Sequence, residues 1–350
     1  MPKIAIIGTT SWGITLGIVL ARNGLQVSLW ARTEQEAVQL VKAGPNPTLA
    51  NGISFPPKLS ITSSLSEALI KAKAVILAVP SQRVRQNTKL VAEHVDESML
   101  IVSAAKGLEI GSGKRMSQVI AEEIAPSFRS NICVLSGPNL SQEVLNDLPA
   151  ATVVAAEDEA TARKAQKLLT TPTFCVFTNT DVIGVELGSA LKNIIALGAG
   201  ITDGLGYGDN AKAALITRGL TEITALGVAL GANPLTFSGL AGIGDLIATC
   251  ASPLSRNHYV GVELAKGRSL KEITDSMTGV AEGVSTTLAV WNLAQQMGLE
   301  MPITETIYRI LYDGADLRQS AAELMQAGAA HELAGRKWKL FSTLRSRRPS

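Results

Sequence analysis

The sequence predicts an α/β protein, with a doubly wound parallel sheet in its first half and an all-α domain after it. Three observations support this prediction. The 350 residues are too many for one hydrophobic core, so two domains are expected. Up to about residue 180, short apolar runs alternate with helical stretches, which is typical of a parallel sheet covered on both faces. Beyond residue 180 the chain is rich in Ala, Leu and Gly at helical spacing and shows no convincing strand before Ser342.

Seven apolar runs, many of them β-branched, are predicted to be the strands of the sheet. They span residues 3–7, 26–30, 74–79, 99–104, 132–136, 151–156 and 174–177. Helices are predicted between them at residues 12–23, 33–43, 66–73, 82–94, 113–124, 141–146 and 159–169. The alternation ends after Thr180. We therefore expect a sheet domain at 1–180, an all-helical domain at 181–335 and a basic tail at 336–350.

Composition and charge exclude several classes of function. Charged residues make up 18% and hydrophobic residues 46%, which describes a globular chain rather than a disordered one. Aromatic residues are only 4%, which leaves little for stacking on nucleic-acid bases. Six of the 32 basic residues lie in the last fifteen positions, so the rest of the chain has 26 basic against 30 acidic residues. A nucleic-acid-binding surface is therefore not expected outside the tail.

The sequence also indicates the cellular compartment of the protein, through its cysteines, its histidines and one uncharged run. Three cysteines and three histidines stand far apart without a metal-ligand spacing, so neither a metal site nor a disulfide framework is expected. Residues 4–21 are uncharged and resemble a signal peptide, but the polar loop at 8–11 interrupts them. We expect a cytoplasmic protein without an integral membrane segment.

A glycine loop follows the first predicted strand. Gly8 and Gly13 fit the first and third glycines of a dinucleotide-binding loop in a Rossmann-like domain, and Thr10 stands at the second. A side chain there is expected to push the pyrophosphate outward or to offer it a hydroxyl, while the helix amino terminus still receives the anion. The alternative is a plain tight turn.

The residues after the second predicted strand bear on the choice of cofactor. Arg32 follows this strand, and no acid precedes Glu34. An arginine here accommodates the 2′-phosphate, so NADP(H) is favoured and NAD(H) is the second candidate. The alternative is an exposed arginine that opens a helix.

Lysine is the remaining candidate for proton transfer. No tyrosine has a lysine four residues later, and a lone histidine such as His258 is more often structural. Lys192 stands among small and aliphatic residues, where burial would lower its pKa towards the range of a general acid. The alternative is a lysine that reaches the surface from a buried helix.

Three further segments carry polar groups suited to a small anionic ligand. Lys106 follows a predicted strand, at the edge where parallel sheets bind ligands. Asp245 follows a glycine turn, and Ser255 and Arg256 open a helix whose donors suit a phosphate monoester. Ordinary helix capping is the alternative for the last segment.

Five blocks, taken together, carry a family likeness. They are residues 8–13 with Ser11 and Trp12, 104–109, 136–139, 188–200 and 242–257. The chain resembles the bacterial NAD(P)-dependent sn-glycerol-3-phosphate dehydrogenases over about residues 3–326. The resemblance implies reversible reduction of dihydroxyacetone phosphate to sn-glycerol 3-phosphate for glycerophospholipid synthesis. It also implies a homodimer.

The resemblance assigns roles by position. Lys192 is implied as the catalytic proton donor and acceptor. The implied substrate contacts are Lys106, Gly137, Asn139, Asn193, Asp245, Thr249, Ser255, Arg256 and Asn257. The implied cofactor contacts, with the glycine loop, are Gly8, Thr10, Ser11, Trp12, Gly13, Arg32, Lys106, Ser141, Arg256, Val280 and Glu282. Thr10, Asn139 and Ser141 depart from the residues usual in the family, which bears on cofactor affinity.

Two other functions stay open on the sequence alone. A related two-domain hydroxy-acid dehydrogenase would share the nucleotide half and a lysine, but would have no use for an anion site at Arg256. A non-catalytic NADP(H)-binding regulator is suggested by Thr10.

The basic tail suggests a separate hypothesis. Apolar residues of the tail, among them Trp338 and Phe341, approximate one helical face beside its basic residues. They suggest contact with an anionic membrane, with a solvated terminus as the alternative.

Overall fold

A computed structural model describes residues 2–44 and 53–326, and the predicted basic tail lies outside these residues. Eight strands form one sheet in the order β3-β2-β1-β4-β5-β6-β7-β8. They are β1 Lys3–Ile7, β2 Gln26–Trp30, β3 Leu59–Thr62, β4 Ala72–Leu77, β5 Leu100–Ser103, β6 Ile132–Ser136, β7 Ala150–Ala155 and β8 Phe174–Asn179. The chain order reverses between β1 and β4, the position at which doubly wound sheets bind ligands. The predicted fold class is confirmed.

Helices cover both faces of this sheet. They are α1 Ser11–Arg22, α2 Glu34–Ala43, α3 Leu65–Leu69, α4 Val84–Ala92, α5 Met116–Glu123, α6 Ser141–Leu145 and α7 Glu159–Leu169. Ile4 and Ile6 of β1 pack into the core under α1, whereas Ala5 and Ile7 pack into the core under α3, α4 and α5. Because alternate residues of a strand point to opposite faces and both faces are covered here, the four buried residues from Ile4 to Ile7 are all apolar.

The sheet departs from the prediction at two strands. The four-residue edge strand β3 was not predicted; it pairs with β2 in parallel. The predicted all-parallel arrangement is wrong for β7, which runs antiparallel to β6. The connection between β6 and β7 contains only the five-residue α6. A helix of that length advances about 7.5 Å, too little to carry the chain back along a strand, so β7 returns in the opposite direction.

The helix predicted at 66–73 is wrong at its carboxyl end. Ser64 caps α3 by accepting a hydrogen bond from the Glu67 amide, and the helix ends at Leu69. Lys71 then takes a left-handed conformation with φ of 59°. This reversal ends the helical geometry and directs the chain into β4, which begins at Ala72.

From Val182 onward every described element is helical. The α-helices are α8 Val182–Gly204, α9 Gly208–Ala229, α10 Asp245–Ala251, α11 Arg256–Ala265, α12 Leu270–Ser276, α13 Glu282–Met297, α14 Pro302–Tyr312 and α15 Leu317–Gln326. A kinked segment at Leu240–Gly244, in which Gly242 has a non-helical conformation, leads directly into α10. Helices α9, α10, α11, α13 and α14 pack against α8, which supplies much of the hydrophobic core of this domain.

Helix α8 is both the longest and the most buried of these helices. Among the described residues it alone has the length and hydropathy to cross a bilayer, and 94% of that apolar window is buried inside the protein. Helix α11 crosses it closely through glycines. A Cβ on Gly200 would lie 2.0 Å from the carbonyl oxygen of His258, and one on Gly261 would lie 2.1 Å from that of Leu197. This close contact places the first half of α11 beside the carboxyl-terminal half of α8.

Candidate active site

Two glycines shape the loop between β1 and α1. Gly8 has φ of +114°, and a Cβ there would lie 2.7 Å from Val79 Cγ1. A Cβ on Gly13 would lie 2.2 Å from the carbonyl oxygen of Gly8. The turn and the close packing of the helix on the strand therefore both require glycine.

Thr10 does not disturb this loop. Its φ of −66° suits any residue, and its hydroxyl accepts a hydrogen bond from the Gly13 amide as the cap of α1. The same hydroxyl donates to the carbonyl oxygen of Ala78 at 2.6 Å, so its proton is not directed towards a phosphate. Threonine thus fixes the loop to the end of β4.

The amino terminus of α1 retains free donors. The described residues offer no hydrogen-bond acceptor to the backbone N–H groups of Ser11 and Trp12. The indole Nε1 of Trp12 is also buried without a partner. Free amides at the positive end of a helix dipole fit the pyrophosphate of a dinucleotide.

We expect Thr10→Ala to lower the free energy of unfolding by about 1–2 kcal/mol, because the variant loses a helix cap and the hydrogen bond to Ala78. Urea unfolding followed by circular dichroism measures this loss. Thr10→Ser keeps the hydroxyl and should stay close to the wild-type value. An equal loss in both variants would attribute the stabilisation to the methyl group instead.

Two lysines share one carboxylate where the sheet meets the helices. Lys192 of α8 pairs through Nζ with Asp245 Oδ1 and donates to Thr249 Oγ1. Lys106, which follows β5, lies 2.8 Å from Asp245 Oδ2 and donates to the carbonyl oxygen of Gly137 at 2.8 Å. The side chain of Lys192 is only 7% exposed, so it does not reach the surface as the alternative interpretation required.

The surroundings of Lys192 set its protonation. Burial lowers the pKa of Lys192 to about 8, and the charge of Lys106 acts in the same direction while Asp245 opposes it. The amine is therefore mostly protonated at neutral pH, and it can lose its proton at a pH only slightly above neutral. This is the property required of a general acid that also acts as a base in reverse.

The start of α11 carries the guanidinium of Arg256. Ser255 caps the helix by accepting a hydrogen bond from the His258 amide. Arg256 is the first helical residue, and its guanidinium packs so closely on Gly279 that a Cβ there would lie 2.3 Å from Nη1. The guanidinium of Arg256 interacts electrostatically with Glu282, but it hydrogen-bonds to none of the described residues. It remains available to an anionic ligand.

Two asparagines join this helix start to the lysine cluster, which consists of Lys106, Lys192 and the shared Asp245. Asn257 donates to Asn193 Oδ1 at 2.8 Å and accepts from the Gly283 amide at 2.9 Å. Asn193 follows Lys192 directly in α8, so the residues beside the buried lysine and beside Arg256 contact each other. The two candidate groups therefore belong to one region of the molecule.

Glu282, at the start of α13, binds the sheet domain. It accepts hydrogen bonds from the backbone N–H of Ser81, at 2.9 Å, and from its hydroxyl. Desolvation raises the pKa of Glu282, while the Ser81 bonds and the charge of Arg256 oppose the increase. Ser81 was not predicted, although it follows β4 at the same sheet edge as Lys106, which was the available signal.

Asn139, Ser141, Val280 and Arg32 are among the predicted contacts that have no described hydrogen bond to Lys106, Lys192 or Asp245. Asn139 donates to Thr152 Oγ1 at 3.0 Å, and its buried Oδ1 lacks a partner. Ser141 begins α6, Val280 is 49% exposed ahead of α13, and Arg32 is exposed after β2. Their roles remain predictions.

Over the described part of the chain, no group of three or more His, Cys, Asp or Glu side chains could hold a metal ion.

Comparison with known proteins identifies the family. Residues 3–162 match the family model of the NAD-dependent glycerol-3-phosphate dehydrogenase N-terminus, and residues 181–322 match that of its C-terminus. A Dehalococcoides mccartyi protein named glycerol-3-phosphate dehydrogenase, NAD(P)+, is 64% identical over 99% of this chain and 97% of its own length. The chain belongs to the NAD(P)-dependent glycerol-3-phosphate dehydrogenase family. The predicted resemblance is confirmed.

Solved structures agree with this assignment. Glycerol-3-phosphate dehydrogenase from Coxiella burnetii aligns with a TM-score of 0.88 at 35% identity, covering 93% of this chain and 99% of the other. A ketopantoate reductase from Ralstonia eutropha aligns with a TM-score of 0.56 at 17% identity, over 92% and 99% of the two chains. The latter likeness shows the fold alone.

Proposed function

We propose that this member of the family reversibly reduces dihydroxyacetone phosphate to sn-glycerol 3-phosphate with NAD(P)H, for glycerophospholipid synthesis. The observation that carries the proposal is the buried Lys192, paired with Asp245 beside Lys106 at the sheet edge. We further propose a cytoplasmic homodimer, as the family resemblance implies. Light scattering on the purified protein tests the dimer.

The residues at the switch point of the sheet fit a dinucleotide. The pyrophosphate would lie on the free amides of Ser11 and Trp12, at the loop that Gly8 and Gly13 shape. Arg32 lies at the end of β2, where the adenosine ribose is held in this fold. When bound, the reduced cofactor supplies the hydride for the carbonyl carbon.

Lys192 would move the proton of the reaction. As ammonium, it donates from Nζ to the carbonyl oxygen of the substrate while negative charge develops there. Asp245 holds the amine in place. Lys106, which pairs with the same Asp245 carboxylate, adds positive electrostatic potential at the site. In the oxidative direction, the neutral amine takes the proton of the substrate hydroxyl.

Charge balance favours a phosphate ester as substrate. Lys106, Lys192 and Arg256 bring three positive charges against the carboxylates of Asp245 and Glu282, so the site carries a positive excess. Arg256 would hold the phosphate through its planar fork of N–H donors. Binding the remote phosphate there would keep the carbonyl within reach of Lys192.

Initial rates test the substrate and separate the alternatives. We expect NAD(P)H oxidation with dihydroxyacetone phosphate and a far lower kcat/KM with dihydroxyacetone or 2-keto acids. Preference for a 2-keto acid would favour the hydroxy-acid dehydrogenase. Cofactor binding without any turnover of dihydroxyacetone phosphate would favour the regulator.

The pKa of Lys192 near 8 predicts opposite pH profiles for the two directions. Reduction needs the ammonium form, so its kcat/KM should fall above about pH 8, by about tenfold per pH unit. Oxidation needs the neutral amine, so its kcat/KM should rise to a plateau above the same pH. Initial rates from pH 6 to 10 in both directions measure the profiles. Profiles that change in the same direction would contradict proton transfer by this amine.

A further inference from the structure

Glu36 lies where the nucleotide loop and the end of β2 come together. One of its carboxylate oxygens accepts a hydrogen bond from the Thr9 hydroxyl, in the loop after β1. The other accepts from the backbone N–H of Arg32 at 2.9 Å, directly after β2. β1 and β2 are neighbours in the sheet, with Ile7 beside Trp30. The carboxylate therefore connects the carboxyl ends of both strands.

Helix capping explains only part of this arrangement. Thr33 caps α2 and accepts from the Glu36 amide, which places the glutamate in the first turn with its side chain turned back towards Arg32. The hydrogen bond from Thr9 does not cap α2, because Thr9 belongs to the loop after β1. Glu36 is thus directed at the nucleotide loop as well as at its own helix.

We propose that Glu36 determines cofactor preference by favouring the ribose 2′-hydroxyl of NAD(H) over the 2′-phosphate of NADP(H). This inference rests on the proposed function. In this fold, an acid at the end of the second strand accepts a hydrogen bond from the ribose hydroxyl. Each carboxylate oxygen has a second lone pair, so Glu36 can accept this bond while it keeps Thr9 and Arg32.

The charges at this position act against each other. A 2′-phosphate carries a charge of about −1.5 to −2 at neutral pH, which Glu36 repels. The exposed side chain of Arg32, which has no described acidic partner, attracts it. The preference for NADP(H) inferred from Arg32 alone omitted this acid, because Glu36 reaches the end of β2 from the following helix.

Calorimetric titration of the purified protein with NADH and with NADPH, without substrate, tests the proposal. The two cofactors differ only in the 2′-phosphate, so the ratio of their Kd values isolates that group. We expect Glu36→Gln to shift this ratio towards NADPH by roughly five- to tenfold, as loss of one nearby like charge predicts. Arg32→Ala should shift it towards NADH.

Glu34→Gln is the matched control, since it removes the same charge from the same helical turn. Its carboxylate bonds to the Ser63 hydroxyl beside β3 and not to the nucleotide loop. A ratio that changes equally in Glu34→Gln and Glu36→Gln, or in neither, would overturn the proposal. A wild-type protein that binds neither cofactor would instead contradict the proposed function, and the role of Glu36 with it.

Discussion

Lys192→Ala is expected to lower kcat for dihydroxyacetone phosphate reduction by about 10²- to 10⁴-fold, the usual contribution of a positioned general acid. The Kd for the cofactor should stay near its wild-type value, because the described hydrogen bonds of Lys192 go to Asp245 and Thr249 and not to the proposed pyrophosphate site at Ser11 and Trp12. The variant should still fold. Asp245 keeps its pair with Lys106 at 2.8 Å, so the substitution does not leave this buried carboxylate without a cation.

A soluble amine provides a further readout for the same variant. Ethylamine can occupy the space that the lysine side chain vacates and supply the missing proton, so it should restore part of kcat in Lys192→Ala. It should not change the wild-type rate. A merely structural role for Lys192 would not give this response.

Lys212→Ala is the matched control for this prediction. Lys212 lies in α9, is 19% exposed and pairs with Asp203 at 2.8 Å, so it is also a lysine in a sheltered ion pair. Its removal should leave kcat unchanged. Wild-type turnover by Lys192→Ala would refute the assignment of Lys192 as proton donor, and with it the proposed mechanism.

Local patterns in the sequence predicted the sheet core and the burial of Lys192. The uninterrupted apolar run of β1 indicates burial on both faces, which the two cores under α1 and under α3–α5 confirm. The small and aliphatic neighbours of Lys192 likewise predicted its burial in α8. In both cases the deciding information lies within a few residues of the feature.

Features that depend on distant parts of the chain could not be predicted in this way. Ser81 and Glu282 meet across 201 positions, and no local pattern near either one indicates the other. The direction of β7 depends on how far the short α6 carries the chain. Thr10 was expected to affect the pyrophosphate, but its hydroxyl is directed to Ala78, whose position becomes known only when β4 pairs with β1.

Arg256→Met is expected to lower kcat/KM for dihydroxyacetone phosphate by about 10- to 150-fold, mainly through a higher KM. Loss of a hydrogen bond between charged groups costs about 1.5–3 kcal/mol, which corresponds to this range. Methionine keeps much of the volume of the side chain against Gly279 and removes only the charged fork. The measurement is initial rates with dihydroxyacetone phosphate and with dihydroxyacetone, at saturating cofactor.

The comparison of the two substrates decides what Arg256 binds. If it holds the phosphate, the variant loses kcat/KM only with the phosphorylated substrate, because dihydroxyacetone offers nothing for the guanidinium to bind. Arg268→Met is the control; this arginine follows the other end of α11 and pairs with Glu263 at 2.8 Å. Equal losses with both substrates in Arg256→Met would place the phosphate elsewhere, since the arginine would then act on the fold or on the cofactor.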